Sequence, residues 1–197
     1  MPVSRDLILA STSRYRQELL SRLGVAYRSE DPAVEESAGA EESPADTAIR
    51  LAQAKARAVA ARFPDAVVIG SDQVASCGEL RIGKPGSHER AVAQLAAMSG
   101  RDVRFDTGVA LLDARSGAMQ VRLVPTIVTF RTLSPDDIER YLRLERPYDC
   151  AGSAKIERMG IALVERVQSE DPTALIGLPL IAVTRMLEQA GIRVLGA

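Results

Sequence analysis

The chain has no tryptophan, one histidine and two cysteines among its 197 residues. A lone histidine argues against a histidine-based catalytic triad or a histidine-rich metal site, and His88 lies in a polar helix start that is typical of a surface residue. Cys77 and Cys150 are too few for a disulfide framework and lack metal-ligand spacing. This use of cysteine favours a reducing compartment, and we expect a cytoplasmic protein.

The chain also lacks an excess charge of either sign and any long apolar run. Its 25 basic residues nearly balance its 26 acidic ones, so we expect neither nucleic acid nor an anionic membrane as a partner. Because no long apolar stretch follows the first few polar residues, we expect neither a secretory signal nor a membrane span. With 46% hydrophobic residues, the chain can bury the core of one domain.

Strand and helix patterns alternate along the chain without repeats. Strands are predicted at 7–10, 26–29, 66–70, 80–82, 103–112, 119–130 and 161–167, the fifth and sixth forming a hairpin. Helices are predicted from Ser13, over 43–62, 87–98 and 134–144, from Asp171, and as a last helix ending at Ala190. This order predicts an α/β fold, a single domain over 1–197 with a mixed sheet, elongated and bent into two lobes around a cleft.

Asp72 is the first catalytic candidate. It belongs to Ser71-Asp72-Gln73, which follows the apolar run 66–70. That run is rich in β-branched residues and is typical of a buried parallel strand. A carboxylate at the carboxyl end of such a strand is expected to face the crevice where open α/β sheets bind ligands.

A second candidate site is the polar loop that follows the first strand. Residues 11–16 carry three serine or threonine hydroxyl groups and two arginines at the start of a helix. Hydroxyls, free backbone N–H groups and the positive end of a helix suit an anion, most plausibly phosphate. The alternative is a helix capped by Ser13 with arginines on its surface, which is a common arrangement.

Six short motifs occur in order along most of the chain, beginning with Leu-Ala-Ser-x-Ser-x-x-Arg. The others are Val34-Glu35-Glu36, Gly70-Ser71-Asp72-Gln73, Gly83-Lys84-Pro85, the stretch 151–157 and Gly177-Leu178-Pro179. Each is unspecific alone, but their order and spacing resemble the Maf family of nucleoside triphosphate pyrophosphatases over essentially the whole chain. The resemblance implies a Maf/ITPase-like fold around a nucleotide-binding cleft.

The resemblance implies hydrolysis between the α and β phosphates of a nucleotide, with roles for named residues. Asp72 would be the base or the ligand that orients the attacking water, and Glu36 with Asp72 would hold Mg²⁺ or Mn²⁺. Lys55, Lys84 and Arg16 would stabilise charge on the phosphates, which Ser11 would help to position. For Lys55 and Glu36 the alternatives are a helix-surface lysine and a solvated acidic loop.

Three positions sort this family by substrate. The branch that cleaves dTTP and UTP has arginine, threonine and glutamine where this chain has Tyr15, Gln73 and Glu157. An aromatic residue, a glutamine and a glutamate resemble the branch that acts on 7-methyl-GTP. Two departures are Arg14, in place of a common proline, and Tyr15, where tryptophan is frequent.

The chemistry of the base supports this assignment. N7-methylation gives guanine a positive charge, and stacking on the Tyr15 ring would stabilise it by roughly 0.5 to 2 kcal/mol. The Glu157 carboxylate can accept from both N–H donors of the guanine edge. The alternative for Glu157 is a loop charge paired with Lys155 or Arg158.

Two other functions remain open. One is the same reaction on dTTP, UTP or another modified nucleotide. The other is a nucleotide-binding regulator of cell division without turnover, although such a binder would not need Asp72. The expected partner is the small-molecule nucleotide, and a second copy of the chain is a further candidate partner.

Overall fold

The computed structural model describes residues 5–39 and 41–195, which form five α helices and seven strands. The strands are β1 (Leu7–Ala10), β2 (Arg28–Glu30), β3 (Val67–Cys77), β4 (Leu80–Ile82), β5 (Asp102–Asp113), β6 (Met119–Phe130) and β7 (Val164–Ser169). The helices are α1 (Arg14–Ser21), α2 (Pro44–Ala60), α3 (His88–Met98), α4 (Pro135–Glu145) and α5 (Leu180–Gln189). Short 3₁₀ turns lie at Ala151–Ser153, Met159–Leu163 and Ala174–Ile176.

The strands form one mixed sheet in the order β2-β1-β3-β5-β6-β7, with β4 paired to β3. Strand β1 is parallel to both β2 and β3, whereas the β3–β4 and β6–β7 pairs are antiparallel. The predicted α/β fold with a mixed sheet is confirmed. None of the helices in the described part of the chain is both long and apolar enough to cross a membrane.

The chain divides into two compact units. The first comprises the residues up to Gln73, Thr107–Val124 and the residues from Asp171 onward. The second comprises Val74–Asp106 and Pro125–Glu170. Strands β3, β5 and β6 therefore each contribute residues to both units.

In the first unit, the two faces of β1 bury different helices. Leu7 and Leu9 belong to a core cluster that includes residues of α1 and α5. Ile8 and Ala10 belong to a second cluster that includes residues of α2. Because helices cover both faces, β1 is apolar at every position rather than at alternate ones.

Hydroxyl caps begin three of the helices. Ser43 accepts from the Asp46 N–H at the start of α2, and Ser87 accepts from the Arg90 N–H at the start of α3. Ser134 and Asp137 form a complete capping box at the start of α4. In the second unit, α3 packs on α4.

Three local predictions were wrong, and one strand is shifted along the chain. The Ser13 side chain does not cap α1; its backbone N–H donates to Ser11 Oγ at 3.1 Å. The strand predicted at 26–29 forms at Arg28–Glu30. The strand predicted at 161–167 begins only at Val164, because Met159–Leu163 form a 3₁₀ helix instead. The turn before that helix is closed by Lys155 O, which accepts from the Arg158 and Gly160 N–H groups.

The helix predicted from Asp171 is a single 3₁₀ turn, Ala174–Ile176. Gly177 follows at a φ of 113°, which a right-handed helix cannot contain, and Pro179 has no N–H to continue one. The polypeptide therefore turns sharply before α5 begins.

Candidate active site

Asp72 lies within β3, so the prediction that it follows the carboxyl end of this strand was wrong. The strand continues from Val67 to Cys77, because its last residues, from Ala75, pair with β4. Asp72 is nonetheless buried, and its carboxylate is one of the few charged groups in the core of the first unit. A charge buried at this depth requires a partner.

That partner is Lys55 of α2, which bridges two carboxylates. Its Nζ lies 2.6 Å from Asp72 Oδ1 and 2.5 Å from Glu36 Oε1. The side chains of Lys55 and Asp72 are 4% and 10% exposed, whereas that of Glu36 is 59% exposed. One ammonium group thus joins a core carboxylate to a carboxylate on the surface loop.

Close packing between α2 and β3 makes this contact reachable. A Cβ atom at Gly70 would lie 2.1 Å from the backbone oxygen of Ala52, so only glycine fits there. Ala52 and Ala56 are small, fully buried residues on the same face of α2. Lys55 can therefore bind Asp72 from the adjacent helix.

Arg16 is a second predicted phosphate-binding cation of the first unit, after Lys55. Burial lowers the pKa of its guanidinium, and the negative charges of Asp72 and Glu36 oppose that shift. Its Nε donates to the Gly177 oxygen at 2.8 Å. Arginine keeps its charge under such a shift, so Arg16 is a half-buried cation whose Nε is held by the backbone.

Gln73 and Ser11 have neighbours within the same unit. Gln73 Nε2 lies 2.9 Å from both Thr107 Oγ1 and the Ala174 oxygen. Its amide nitrogen therefore binds the protein itself, and its oxygen is the atom left to meet a ligand. Ser11 is buried at the end of β1, where its Oγ accepts from the Ser13 N–H.

The half-buried Tyr15 ring has a cation over it. The guanidinium carbon of Arg14 lies 4.9 Å from the ring centroid, and Arg14 Nη2 donates to Tyr15 Oη at 3.1 Å. The ring that the sequence assigns to a cationic base is therefore in contact with a cation of the chain itself. Arg14 is one of the two departures from the family pattern.

The remaining predicted residues, Lys84 and Glu157, belong to the second unit, and both are exposed. The two basic neighbours of Glu157 in the sequence each bind a carboxylate: Lys155 Nζ lies 3.0 Å from Asp149 Oδ1, and Arg158 Nε lies 3.1 Å from Glu145 Oε1. Lys84 and Glu157 are therefore residues of the second unit, whereas Asp72 and its partner Lys55 are residues of the first.

The sequence did not predict that two charged residues, Asp171 and Lys155, are buried. Asp171 is buried and binds the Thr173 N–H and the Ile181 N–H, although Asp171-Pro172 looked like an ordinary helix start. Lys155 is buried in a segment that looked like a loop. No hydrophobic periodicity marks either residue, since both lie outside helices and strands.

The two cysteines, Cys77 and Cys150, form no disulfide with each other. Both thiols are free, and burial raises the pKa of Cys150 to about 12. A thiol that stays protonated is a poor nucleophile. Cys150 is therefore not a candidate nucleophile.

Glu36 and Asp72 suit a divalent cation. Across residues 5–39 and 41–195, no three His, Cys, Asp or Glu side chains are placed to bind one metal together. Mg²⁺ ordinarily uses one or two protein carboxylates, with waters and substrate phosphates completing its shell. Because the two carboxylates already converge on one ammonium, their oxygens meet this modest requirement.

Comparison with known proteins agrees with this chemistry. A family model described as Maf-like protein matches residues 6–190. The 7-methyl-GTP pyrophosphatase of Albidiferax ferrireducens is 56% identical over 196 residues, which cover 100% of this chain and 98% of the relative. The protein of the same name from Burkholderia pseudomallei is 57% identical over 97% of this chain and 90% of its own length. Among solved structures, the Ham1 protein of Staphylococcus aureus aligns with a TM-score of 0.47 and 14% identity, over 65% of this chain and 73% of its own.

Proposed function

This chain belongs to the Maf family, and on that basis we propose that it hydrolyses 7-methyl-GTP to 7-methyl-GMP and pyrophosphate. Such an activity would remove modified nucleotides from the cellular pool. The observation that carries the proposal is the contact of the buried Lys55 ammonium with both Asp72 and Glu36. It is supported by full-length relatives that bear the name of this activity.

In the proposed reaction, water attacks the α phosphorus and pyrophosphate leaves. Asp72 either takes the proton of that water or orients the water for attack. Lys55 and Arg16 stabilise the charge that develops on the phosphate oxygens. Ser11 and the backbone N–H groups at the start of α1 help to position the phosphate chain.

Glu36 and Asp72 would hold the divalent cation, Mg²⁺ or Mn²⁺. When bound, such an ion offsets phosphate charge and lowers the pKa of a coordinated water. Lys55 Nζ already lies within 2.6 Å of a carboxylate oxygen of each residue. A metal held by the same two oxygens that Lys55 contacts would displace its ammonium, which would then be available to the phosphates.

Recognition of the base is assigned to Tyr15, Gln73 and Glu157. Tyr15 offers a ring to the charged purine, and Gln73 offers its amide oxygen. Glu157 would accept from the guanine edge, and Lys84 would stabilise phosphate charge. For these two residues of the second unit the support is the sequence motif that each belongs to.

We further propose that the enzyme works in the cytoplasm, as the use of cysteine predicts. Its ligand is a nucleotide and not a nucleic acid, since the formal net charge is only −1. A homodimer stays a prediction.

The experiment that tests the function is steady-state hydrolysis of 7-methyl-GTP, GTP, UTP and dTTP with Mg²⁺ and with Mn²⁺. We expect 7-methyl-GTP to give the highest kcat/KM, with 7-methyl-GMP and pyrophosphate as products. Faster cleavage of UTP or dTTP would assign the chain to the pyrimidine branch. Release of orthophosphate would contradict the proposed bond, and binding without turnover would favour a regulator.

A further inference from the structure

The segment 171–181 of the first unit is closed by the carboxylate of Asp171. Its Oδ1 accepts from the Thr173 N–H at 3.0 Å and from the Thr173 hydroxyl at 2.7 Å. Its Oδ2 accepts from the Ile181 N–H at 2.7 Å. One buried carboxylate thus joins the beginning of the segment to the first turn of α5.

Thr173 makes a second connection across the same segment. Its Oγ1 lies 2.9 Å from the Leu178 oxygen and accepts from the Leu180 N–H at 2.8 Å. Thr173 thus binds Asp171 before the motif Gly177-Leu178-Pro179 and Leu180 directly after it. We call Asp171 and Thr173 the bracket of this turn.

Gly177 lies inside the segment that the bracket closes, directly before Leu178, and its carbonyl group binds other elements of the first unit. This oxygen accepts from Arg16 Nε at 2.8 Å and from Ser71 Oγ at 2.9 Å. Ser71 Oγ also lies 2.9 Å from the Gly108 oxygen of β5, and its single proton can be donated to either carbonyl. The φ of Gly177 is 113°, a value that residues with a Cβ rarely adopt.

Arg16 gains a fixed orientation from this carbonyl. Nε lies on the stem side of the guanidinium, so holding it sets the plane in which both terminal nitrogens lie. The negative charges of Asp72 and Glu36 act on the same guanidinium. A fixed plane suits the bidentate binding of phosphate oxygens, and holding it in advance lowers the entropy cost of binding.

We propose that Asp171 and Thr173 are positioning residues that act through the Gly177 carbonyl to orient Arg16 toward a polyphosphate. This inference rests on the role that the proposed function gives to Arg16. It also gives a physical reason for the Gly-Leu-Pro motif: the glycine reaches the required φ, and the proline ends the turn.

The test is a double-mutant cycle on the affinity for inorganic tripolyphosphate, measured by calorimetry. Thr173→Val keeps the shape of the side chain but removes the hydroxyl, and we expect affinity to fall roughly tenfold, because a misplaced binding group loses its geometry. Thr173→Ser keeps the hydroxyl and should stay within about twofold of the wild type. Thr184→Val, the same change within α5, is the matched control and should have no effect.

The second arm places Thr173→Val in an Arg16→Lys background. A lysine ammonium has no plane to orient, so the bracket should no longer matter, and we expect the second mutation to change affinity by less than about twofold. An equal loss in both backgrounds would mean that Thr173 acts independently of Arg16 and would overturn the proposal. So would an unchanged affinity of Thr173→Val.

Thermal melts accompany each variant. If Thr173→Val does not fold, Asp171→Asn replaces it, since an amide nitrogen in place of Oδ2 cannot accept from the Ile181 N–H. The same pattern across the two backgrounds is then expected, and an additive loss again overturns the proposal. Tripolyphosphate contains no base and is not a nucleotide, so this result is independent of whether 7-methyl-GTP is the substrate.

Discussion

Lys55 Nζ lies 2.6 Å from Asp72 Oδ1, a contact between two charged groups that are both buried in the first unit. The same ammonium reaches Glu36 at 2.5 Å. The carboxylates assigned to the metal therefore bind a cation of the chain itself. An ammonium and a divalent ion would compete for the same oxygens.

The first prediction follows from that competition. Lys55→Met should bind Mn²⁺ about tenfold more tightly in the absence of nucleotide, because the two carboxylates lose their internal cation. The measurement is calorimetric or spin-resonance titration with Mn²⁺. Turnover should nevertheless fall, since the lysine is lost from the phosphates.

Arg57→Met is the matched control for this experiment. Arg57 is exposed on the same helix, where its guanidinium binds Gln53. Its removal should leave Mn²⁺ affinity unchanged. If Lys55→Met binds Mn²⁺ no more tightly than the wild type does, the ammonium is not a competitor for this site.

The second prediction concerns Asp72. Asp72→Asn keeps the shape but removes the negative charge, and we expect kcat to fall at least ~100-fold in a folded protein. Asp65→Asn, an exposed carboxylate of the same unit, is the control and should be fully active. Near-normal turnover of Asp72→Asn would move the catalytic role elsewhere, with Glu36 as the next candidate.

The sequence predicted most regular elements of this fold. Apolar runs and helix caps located β1, β6, α2 and α4 to within about two residues, because burial periodicity and capping act locally. The strand through Asp72 was predicted too short. Its continuation depends on pairing with β4, which no local pattern encodes.

The site was predicted in part. Glu36 and Asp72 were proposed from motifs and Lys55 from the family resemblance, but the contact of Lys55 with Asp72 depends on the close approach of α2 to β3. The bracket formed by Asp171 and Thr173 was missed. Its hydrogen bonds join residues up to ten positions apart in irregular chain, and only tertiary structure reveals them.

The third prediction concerns the cation over Tyr15. Arg14 lies on this ring and repels a second positive charge, so Arg14→Ala should raise the affinity ratio of 7-methyl-GTP to GTP by about two- to fivefold. Tyr15→Ala should lower the same ratio, because only the methylated base carries a fixed charge. Equilibrium titration of both nucleotides measures it.

A matched variant separates the ring from the hydroxyl. Tyr15→Phe keeps the ring but loses the oxygen that accepts from Arg14, and it should retain preference for the methylated base. Comparing the ratio cancels any contact of Arg14 with phosphate, which both nucleotides share. An unchanged ratio in both alanine variants would mean that the base does not stack on Tyr15.

The fourth prediction is a pH dependence of stability. Arg5 binds both oxygens of Asp113, and these bonds hold the pKa of that carboxyl well below its usual range. A depressed folded-state pKa stabilises the protein above the unfolded pKa, and the contribution is lost as pH falls through the folded value. Asp113→Asn should therefore lower the free energy of unfolding by about 1 kcal/mol at neutral pH.

Denaturant melts at neutral and strongly acidic pH provide the measurement. The difference between Asp113→Asn and the wild type should shrink as the wild-type carboxylate becomes protonated. Asp65→Asn removes a much more exposed ion pair with Arg115 and should change stability little at any pH. A difference that does not depend on pH would assign the effect to the turn and not to the charge.

The last prediction tests recognition of the base from the second unit. If the Glu157 carboxylate accepts from both donors of the guanine edge, Glu157→Gln replaces one acceptor by a donor and leaves a base N–H unpaired. Activity on 7-methyl-GTP should then fall roughly 10- to 100-fold, whereas UTP, which presents a single N–H between carbonyls, should lose little. Glu165→Gln, another exposed glutamate of that unit, is the control and should leave both rates unchanged. Because base recognition does not involve the phosphates, an equal loss on both nucleotides would show that Glu157 supports the fold, and the chain would remain a Maf pyrophosphatase with another base preference.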